Sequence, residues 1–310
     1  MNTSLSMGFI LLGFQELYGL QNYLFTFFLL IYVMTICGNL LIITLVVNTK
    51  NLQTPMYFFL TLLSLSDLIL STNIVPKMLH VVVNVRTYIS FVSCITQFYF
   101  FSFSECLECL LLTVMSYDRY LAICNPLNYI SIMNNILCKN LIVTCWMLSI
   151  SISFIIALSL GLLEFCGSNI IDHFFCDYPP LIELSCSDTS LVQLEVTLLS
   201  FPILVIPFII ITFSYIHIIK IILRIPSNTG RQKAFSTCSS HLTVVSTYYV
   251  TLISMYGFPI KGQSLKISKV LSLLYTVGTP LMNPVIYSLR NKDIKNAFRK
   301  NYQMFCRIVS

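Results

Sequence analysis

The rest of this chain is organised around residues 115–129, MSYDRYLAICNPLNY. This stretch follows an apolar run and places an acid and a base side by side, Asp118 and Arg119, with Pro126 seven residues beyond the arginine. Charges at the end of an apolar segment are typical of the point where a helix leaves a bilayer. Two interpretations follow: an arginine that snorkels beside its counter-ion, or a switch in which the acid holds the arginine in one state and releases it in another.

The composition indicates that lipid surrounds much of this chain. Of its 310 residues, 56% are hydrophobic and only 10% are charged, whereas soluble domains average about 25% charged residues. The sequence shows no nucleic-acid motif and no Gly-rich phosphate loop, and we expect no cleavable signal peptide. The predicted fold class is therefore an all-α membrane protein with no nucleic-acid partner.

Seven segments are apolar over the roughly 20 residues that a helix needs to cross a bilayer. The predicted spans are about 24–47, 56–79, 91–124, 139–161, 192–223, 232–257 and 267–290. The sixth and seventh are the weakest by hydropathy because they carry many Ser, Thr and Tyr residues, which are tolerated in lipid where they face other helices. Since no linker or repeat divides the chain, residues 1–310 are predicted to form one seven-transmembrane helix bundle.

Basic residues predict the orientation of the bundle. With the N-terminus outside the cell and the C-terminus inside, most of the 18 Lys and Arg residues fall on the cytoplasmic side, as the positive-inside rule requires. Asn2 opens a glycosylation sequon, which suits an extracellular N-terminus. The segment from about 291 to 302 is predicted to form a short amphipathic helix on the inner leaflet. A disordered basic tail is the alternative. Cys306 is a candidate for palmitoylation.

Carboxylates inside the predicted spans point to a polar interior. Burying a carboxylate in lipid is costly, so such residues usually face the bundle interior and serve function. Asp67 and Glu108 are expected to cluster with Asn39 and Asn283. Two acids close together favour a shared proton or a bound cation, and a sodium ion suits a small cavity of oxygen ligands. A neutral hydrogen-bonded network is the alternative.

Glu105 lies one helical turn outward from Glu108, on nearly the same face. An ionised Glu105 favours a cationic ligand such as an amine, whereas a protonated one donates a hydrogen bond to an alcohol or a carbonyl. An interhelical hydrogen bond without a ligand role is the alternative. Pro207 and Pro284 interrupt the fifth and seventh spans and predict kinks that suit hinges.

Four cysteines fall on the outer side, at Cys94, Cys166, Cys176 and Cys186. In an oxidising compartment they indicate two disulfides, in any of three pairings. The run HFFCD at 173–177 also contains ligand types for soft metals. Because a disulfide would remove Cys176 as a ligand, no metal is expected beyond the candidate sodium ion.

The chain resembles odorant receptors, a group of rhodopsin-like (class A) G-protein-coupled receptors, over about residues 8–300. Six motifs carry this resemblance and occur in order at matching span positions. They are Gly38-Asn39, LQTPMYFFLTLLSLSDL (52–68), MSYDRYLAICNPLNY (115–129), Ser214-Tyr215, KAFSTCSSHLTVV (233–245) and PLMNPVIYSLRNKDIKNAF (280–298).

The resemblance implies roles for several residues. It implies that Cys94 pairs with Cys176 and Cys166 with Cys186. Asp118 and Arg119 would form the switch at the G-protein face, with Tyr215 and Tyr287 as partners in the active state. Asp67 and Glu108 would line a sodium site.

The resemblance also implies a ligand pocket that is mostly apolar, from which Glu105 departs. The implied pocket residues are Phe101, Ser102, Glu105, Cys106, Leu199, Ser200, Ile203, Tyr249, Leu252, Tyr256, Ser272 and Tyr275. The predicted function is an odorant receptor in the plasma membrane that binds a small molecule and activates a stimulatory, olfactory-type G protein to raise cAMP. The nearest alternative is a non-olfactory class A receptor for a small amine or another small ligand.

Other functional classes fit the sequence less well. A transporter would show repeated halves and broken helices in matching positions, and neither is visible. The four His residues are scattered at span ends and in loops, with no HExxH motif, and no nucleophile–base pattern is visible. The chain is therefore not expected to be an enzyme.

Overall fold

The structure is a computed structural model that describes residues 8–17, 19–84, 86–256 and 265–309. The sequon at Asn2 lies outside the described residues, as do the side chains of Tyr256 and Cys306. Seven long helices form a bundle, and an eighth follows them. They are α1 Gln21–Asn48, α2 Pro55–Asn84, α3 Phe91–Cys124, α4 Asn135–Gly161, α5 Ser190–Arg224, α6 Asn228–Tyr256, α7 (Leu265–Leu273, a π-helical turn Leu274–Gly278, and Thr279–Arg290) and α8 Lys292–Val309.

Six of the described helices are long and apolar enough to cross a membrane, namely α1 to α5 and the Lys269–Ser288 part of α7. At 29 residues, α6 has sufficient length, since a helix rises about 1.5 Å per residue, but it is more polar. Thr243, Thr247 and Thr251 each donate a hydrogen bond to the carbonyl four residues earlier, at 2.7–3.0 Å. This satisfies their hydroxyls within the helix itself.

The centre of the bundle is α3, which packs against α2, α4 and α5. Leu107, Leu111, Leu112 and Met115 are fully buried along it. Because α3 spans 34 residues, it runs without a break between the two ends of the bundle. We call the end at Phe91 the outer end and the end at Cys124 the inner end, after the predicted orientation.

A kink in α7 is supported by α1. Pro284 has no N–H, so the carbonyl of Pro280, four residues earlier, loses its helical partner. The side-chain amide of Asn39 donates to this carbonyl at 3.1 Å. A Cβ on the neighbouring Gly38 would lie 3.1 Å from the Pro284 ring, so the absence of a side chain there permits the close approach of the two helices.

The outer end carries a cap made from three separate parts of the chain. A three-stranded sheet places β1 (Phe9–Leu11) between the antiparallel β2 (Thr87–Ile89) and the parallel β3 (Ile170–Ile171). Lys269 on α7 donates to Gly13 O at 2.8 Å and to the Asp172 carboxylate at 2.5 Å. The cap therefore joins the N-terminal segment and the α4–α5 loop to α7.

Two disulfides hold the α4–α5 loop over the bundle. Cys94 pairs with Cys176 and Cys166 with Cys186, with Cα–Cα distances of 5.5 and 6.0 Å. These are the pairs that the resemblance implies. In the HFFCD run, burial lowers the pKa of His173 to about 3, and Lys269 acts in the same direction. Within the described ranges, no three His, Cys, Asp or Glu side chains come together to hold a metal.

The C-terminal helix α8 extends beyond the predicted 291–302 and continues to Val309. Its start is fixed by Asn291, whose Oδ1 accepts hydrogen bonds from the backbone N–H groups of Asp293 and Ile294 at 2.9 and 3.3 Å. Ile294 and Ala297 are buried, whereas Lys295 is exposed. The helix therefore rests its apolar face on the bundle.

Candidate functional site

The inner end of α3 holds a closed ion pair. Asp118 is fully buried, and its Oδ2 accepts a hydrogen bond from Arg119 Nε at 2.9 Å and a second from the guanidinium Nη2. Tyr129 Oη donates to the other carboxylate oxygen at 2.8 Å. Burial raises the pKa of Tyr129, and the Asp118 carboxylate raises it further, so Tyr129 remains a donor. Each oxygen of Asp118 thus has a partner, and Arg119 is held by its neighbour.

Tyr129 is a site residue that sequence reasoning missed. It begins the short helix Tyr129–Ile132 after α3, eleven residues beyond Asp118 in the opening motif. The available signal was a tyrosine placed just after the turn at Pro126, where the chain folds back towards the end of α3.

Tyr215 and Tyr287 make no hydrogen bond to Arg119 in the described part of the chain. Tyr215 Oη lies 2.5 Å from Nδ1 of His241, which joins α5 to α6. Tyr287 is fully buried, and its hydroxyl has no hydrogen-bond partner among the described residues. The involvement of His241 was not predicted, although it lies within the KAFSTCSSHLTVV motif.

A polar cluster lies in the middle of the bundle. The side-chain amide nitrogen of Asn283 contacts both Asp67 oxygens, at 3.2 and 3.0 Å, and Glu108 Oε1 at 3.3 Å. All three residues are at most 2% exposed. Because one NH₂ group carries only two hydrogens, it cannot saturate two carboxylates. The arrangement requires a shared proton or a cation if the negative charge is to be balanced.

Asn39 does not contact the carboxylates, contrary to expectation. Its amide donates to the carbonyls of Thr35 and Pro280, both at 3.1 Å. Pro284 leaves the Pro280 carbonyl without its helical donor, and the Asn39 amide takes the place of that donor. Asn39 Oδ1 is buried with no partner in the described part of the chain.

Two unpredicted hydroxyls lie close in sequence to the carboxylates. Ser71 is four residues from Asp67 on α2, and Ser104 is four residues from Glu108 on α3, so each shares a helix face with its acid. Both side-chain oxygens are buried without a hydrogen-bond partner among the described residues. These oxygens and the carboxylates are the hard ligand types that a sodium ion would accept.

The outer half of the bundle contains a chain of aromatic rings. Phe101 on α3 lies 5.1 Å from Phe175 of the α4–α5 loop and 5.9 Å from Tyr275 on α7, measured between ring centroids. Tyr275 lies 6.1 Å from Tyr248 on α6. Tyr248 donates to the backbone carbonyl of Glu105 at 3.0 Å. Phe175 and Tyr248 were not predicted, because loop contacts and the choice between two adjacent tyrosines depend on tertiary packing.

The predicted pocket residues fall into three groups by burial. The buried group consists of Phe101, Ser102, Tyr249, Leu252, Ser272 and Tyr275, and the half-buried group of Glu105, Cys106, Leu199 and Ile203. Ser200 is exposed, although it lies three residues before Ile203 and only about 60° from it around α5. Its place in the pocket stays a prediction.

Asp177 brings a second carboxylate close to Glu105. It lies next to the disulfide-bonded Cys176, is 4% exposed, and caps a short loop helix by accepting the backbone N–H of Tyr178 at 2.8 Å. Burial raises the pKa of Asp177 to about 6, against the lowering effect of that hydrogen bond. Asp177 lies within electrostatic range of Glu105, so two acids approach each other below the outer cap.

Helices α3, α5 and α6 meet at Cys109. Pro207 deprives the carbonyl of Ile203 of its helical donor, and the Cys109 thiol donates to that carbonyl at 3.1 Å. The hydroxyl of Tyr249 lies 3.3 Å from the same sulfur. Cys109 therefore caps the kink in α5 while contacting α6.

Comparison with a solved structure defines the class. The structure aligns with the crystal structure of squid rhodopsin with a TM-score of 0.69 over 92% of this chain and 86% of that chain, at 18% sequence identity. At this identity the likeness concerns the fold alone, that of a seven-helix rhodopsin-type receptor.

Sequence comparisons define the family. The olfactory receptor family model matches residues 28–306. Human Olfactory receptor 11L1 is 48% identical over 99% of this chain and 96% of its own length, and human Olfactory receptor 10A7 is 48% identical over 94% and 92%. Mouse Olfactory receptor 1M1 is 46% identical over 94% and 93%. The chain belongs to the olfactory receptor family.

This membership establishes the coarse function. The protein is an odorant-sensing G-protein-coupled receptor and a multi-pass membrane protein. Its partners are a small-molecule ligand and a G protein, and it is a signalling receptor, not an enzyme.

The contact between Tyr129 and Asp118 predicts the basal activity of a variant. Tyr129→Phe removes one donor from the buried carboxylate, and a hydrogen bond to a charged group contributes about 1.5–3 kcal/mol. Because Tyr129 is only partly buried, we expect a several-fold rise in ligand-independent nucleotide exchange on the G protein. Tyr117→Phe, which changes an exposed tyrosine at the same end of α3, is the control. Equal basal exchange in the two variants, at equal surface expression, would contradict a restraining role for Tyr129.

The Cys109 junction predicts a stability difference. Cys109→Ala leaves the Ile203 carbonyl without a donor, and an unsatisfied buried group costs about 1–3 kcal/mol, whereas Cys109→Ser retains a donor. We expect the alanine variant to lower the thermal midpoint of the detergent-purified receptor more than the serine variant does. Cys145→Ala removes the same volume at another buried cysteine. If Cys109→Ala loses no more stability than Cys145→Ala, the capping role is wrong.

Proposed function

We propose that this receptor binds a small, mostly apolar odorant in the outer half of the bundle and activates a stimulatory, olfactory-type G protein, which raises cAMP. The observation that carries the proposal is the arrangement along α3. Phe101 and Glu105 lie towards its outer end, and the Arg119–Asp118 pair closed by Tyr129 lies at its inner end.

The proposed mechanism is a shift between two packings of the helices. An odorant that binds one arrangement of α3, α5, α6 and α7 more tightly raises the population of that arrangement. A difference in binding free energy of about 1.4 kcal/mol between the two arrangements changes their ratio roughly tenfold. The inner end of α6 then moves outward, which requires the contact between Tyr215 and His241 to break. Arg119 leaves Asp118, and a cleft opens for a helix of the G protein.

In the active state, Tyr215 and Tyr287 become partners of Arg119. Support comes from the resting arrangement, in which the Tyr287 hydroxyl is buried and has no hydrogen-bond partner in the described part of the chain. A buried hydroxyl without a partner is costly, so an arrangement that supplies one is favoured. Tyr215 exchanges its contact with His241 for a contact with Arg119.

The proposed location is the plasma membrane, with the N-terminus outside and the C-terminus inside. Two features support this orientation: the cytoplasmic bias of Lys and Arg, and the exposed Lys295, Arg299 and Lys300 on α8. Basic residues near a helix on the inner surface attract anionic lipid headgroups, so we include membrane lipid among the partners.

We expect odorants to raise cAMP in cells that express this receptor with a stimulatory G protein. A panel of amines, alcohols, aldehydes and acids should contain at least one agonist, and Arg119→Ala should abolish its response, because the G protein loses its main contact. Surface labelling and Lys220→Ala, a change at another base on the inner half of α5, serve as controls. A response that requires an inhibitory or a phospholipase-coupled G protein instead would contradict the proposed coupling.

We also infer that the cluster of Asp67, Glu108 and Asn283 holds a sodium ion in the resting state. Its support is the charge imbalance around the single Asn283 amide, together with the side-chain oxygens of Ser71 and Ser104, which have no hydrogen-bond partner among the described residues. The bound cation would offset the repulsion between the two carboxylates. A proton shared between the two acids is the competing account.

Replacement of potassium chloride by sodium chloride at constant ionic strength should raise the thermal midpoint of the purified receptor. Ligands that bind only the folded state stabilise it by mass action, and Asp67→Asn should remove the sodium-dependent difference. Glu195→Gln, a change of an acid that accepts from Ser159 between α4 and α5, should keep it. Identical midpoints of the wild-type receptor in both salts would favour the shared proton.

A further inference from the structure

Glu105 is a carboxylate without a partner inside the bundle. It is half-buried, whereas Phe101 and Glu108, one turn away on either side, are almost completely buried. Among the described residues, no side chain or backbone group donates a hydrogen bond to its carboxylate, and no base pairs with it. Tyr248 of α6 donates to the Glu105 carbonyl at 3.0 Å, so this part of α3 packs against α6 in the interior of the bundle. Such a costly group is usually retained for function.

The surroundings of Glu105 are aromatic. Phe101 lies one turn outward on the same face of α3, and its ring contacts that of Tyr275 on α7. Tyr248 contacts both Tyr275 and the backbone of Glu105. Aromatic faces attract cations, and a carboxylate beside several rings is the combination that recognises ammonium groups.

Two further groups extend this site. Asp177 adds a second carboxylate from the loop above and lies within electrostatic range of Glu105. Ser272, three residues before Tyr275 on α7, has a side-chain oxygen that is buried without a hydrogen-bond partner among the described residues. The nearby base Lys269 is already bound to Asp172 and to Gly13 O. Two carboxyl groups therefore lie near this site, together with a Ser272 hydroxyl that can donate or accept a hydrogen bond.

We propose that the receptor recognises an aliphatic amine as its ammonium ion, with the charged head on Glu105 beneath Asp177 and the alkyl chain against Phe101 and Tyr275. This inference rests on the proposed odorant-binding function and specifies its ligand class. Alkylamines carry a positive charge at neutral pH, as the side chain of lysine does. An ammonium N–H donates a charge-assisted hydrogen bond to a carboxylate.

The same chemistry disfavours neutral ligands. An alcohol of equal length cannot balance the charge of an ionised Glu105, and it would bind only where the carboxyl group is protonated and donates a hydrogen bond to the hydroxyl. A carboxylic acid would add a like charge beside two acids. Hexylamine, 1-hexanol and hexanoic acid therefore form a matched series in which only the head group differs.

The test uses this series on cells that express the full receptor with a stimulatory G protein. Hexylamine should be the most potent of the three. Glu105→Gln should reduce its potency by roughly tenfold to a hundredfold, as expected for one charged hydrogen bond. Asp177→Asn, which retains an acceptor for Tyr178 N–H, should reduce it less. Glu195→Gln makes the same change at an acid outside the site and should leave the potency unaltered.

The outcomes separate this inference from the proposed function. If 1-hexanol raises cAMP and hexylamine is weaker, or if Glu105→Gln responds to hexylamine like wild type, the amine assignment is wrong and the receptor function stands. If no compound raises cAMP, binding is measured directly on the purified receptor. A thermal midpoint raised by hexylamine in wild type but not in Glu105→Gln would support the amine site despite failed coupling. If hexylamine raises the thermal midpoint of wild type no more than that of Glu105→Gln, the amine site is wrong.

Discussion

The structure depends on the requirement that backbone carbonyls inside a bilayer find hydrogen-bond donors, because lipid supplies none. Pro207 and Pro284 each release a carbonyl in the middle of a helix. In both cases the donor is a side chain from a neighbouring helix: Cys109 of α3 reaches Ile203 at 3.1 Å, and Asn39 of α1 reaches Pro280 at 3.1 Å. The two kinks are thus points of attachment between helices as well as bends.

The consequence is that several functions converge on a short part of α3. Glu105 lies within electrostatic range of Asp177, Glu108 belongs to the polar cluster, and Cys109 caps α5 and contacts α6, all within about one helical turn. A ligand that shifts α3 or α6 by a small distance changes all three environments together. The environments of Glu105, Glu108 and Cys109 are therefore coupled directly, through packed and hydrogen-bonded contacts, and no residue-by-residue pathway is required.

Much of this arrangement was predictable from the sequence, for identifiable reasons. Apolar spans and helical periodicity bring Asp67, Glu108 and Asn283 towards the bundle interior, and the structure brings these three together. The partners of Asp118 and Tyr215 were not predictable, because Tyr129 and His241 reach them only through tertiary folding. Asn39 was expected beside the carboxylates, but its amide donates to the carbonyl that Pro284 leaves without a helical donor.

The low hydropathy of α6 suits the outward movement proposed for this helix. At three levels α6 is joined to its neighbours by polar contacts, through Tyr248 to Glu105 O, Tyr249 to Cys109 and His241 to Tyr215. A single hydrogen bond contributes about 1 kcal/mol net and can be exchanged for another, whereas separating well-packed apolar side chains leaves a cavity that costs more. The polar composition that makes α6 the least recognisable span therefore also permits it to change partners without leaving the bundle.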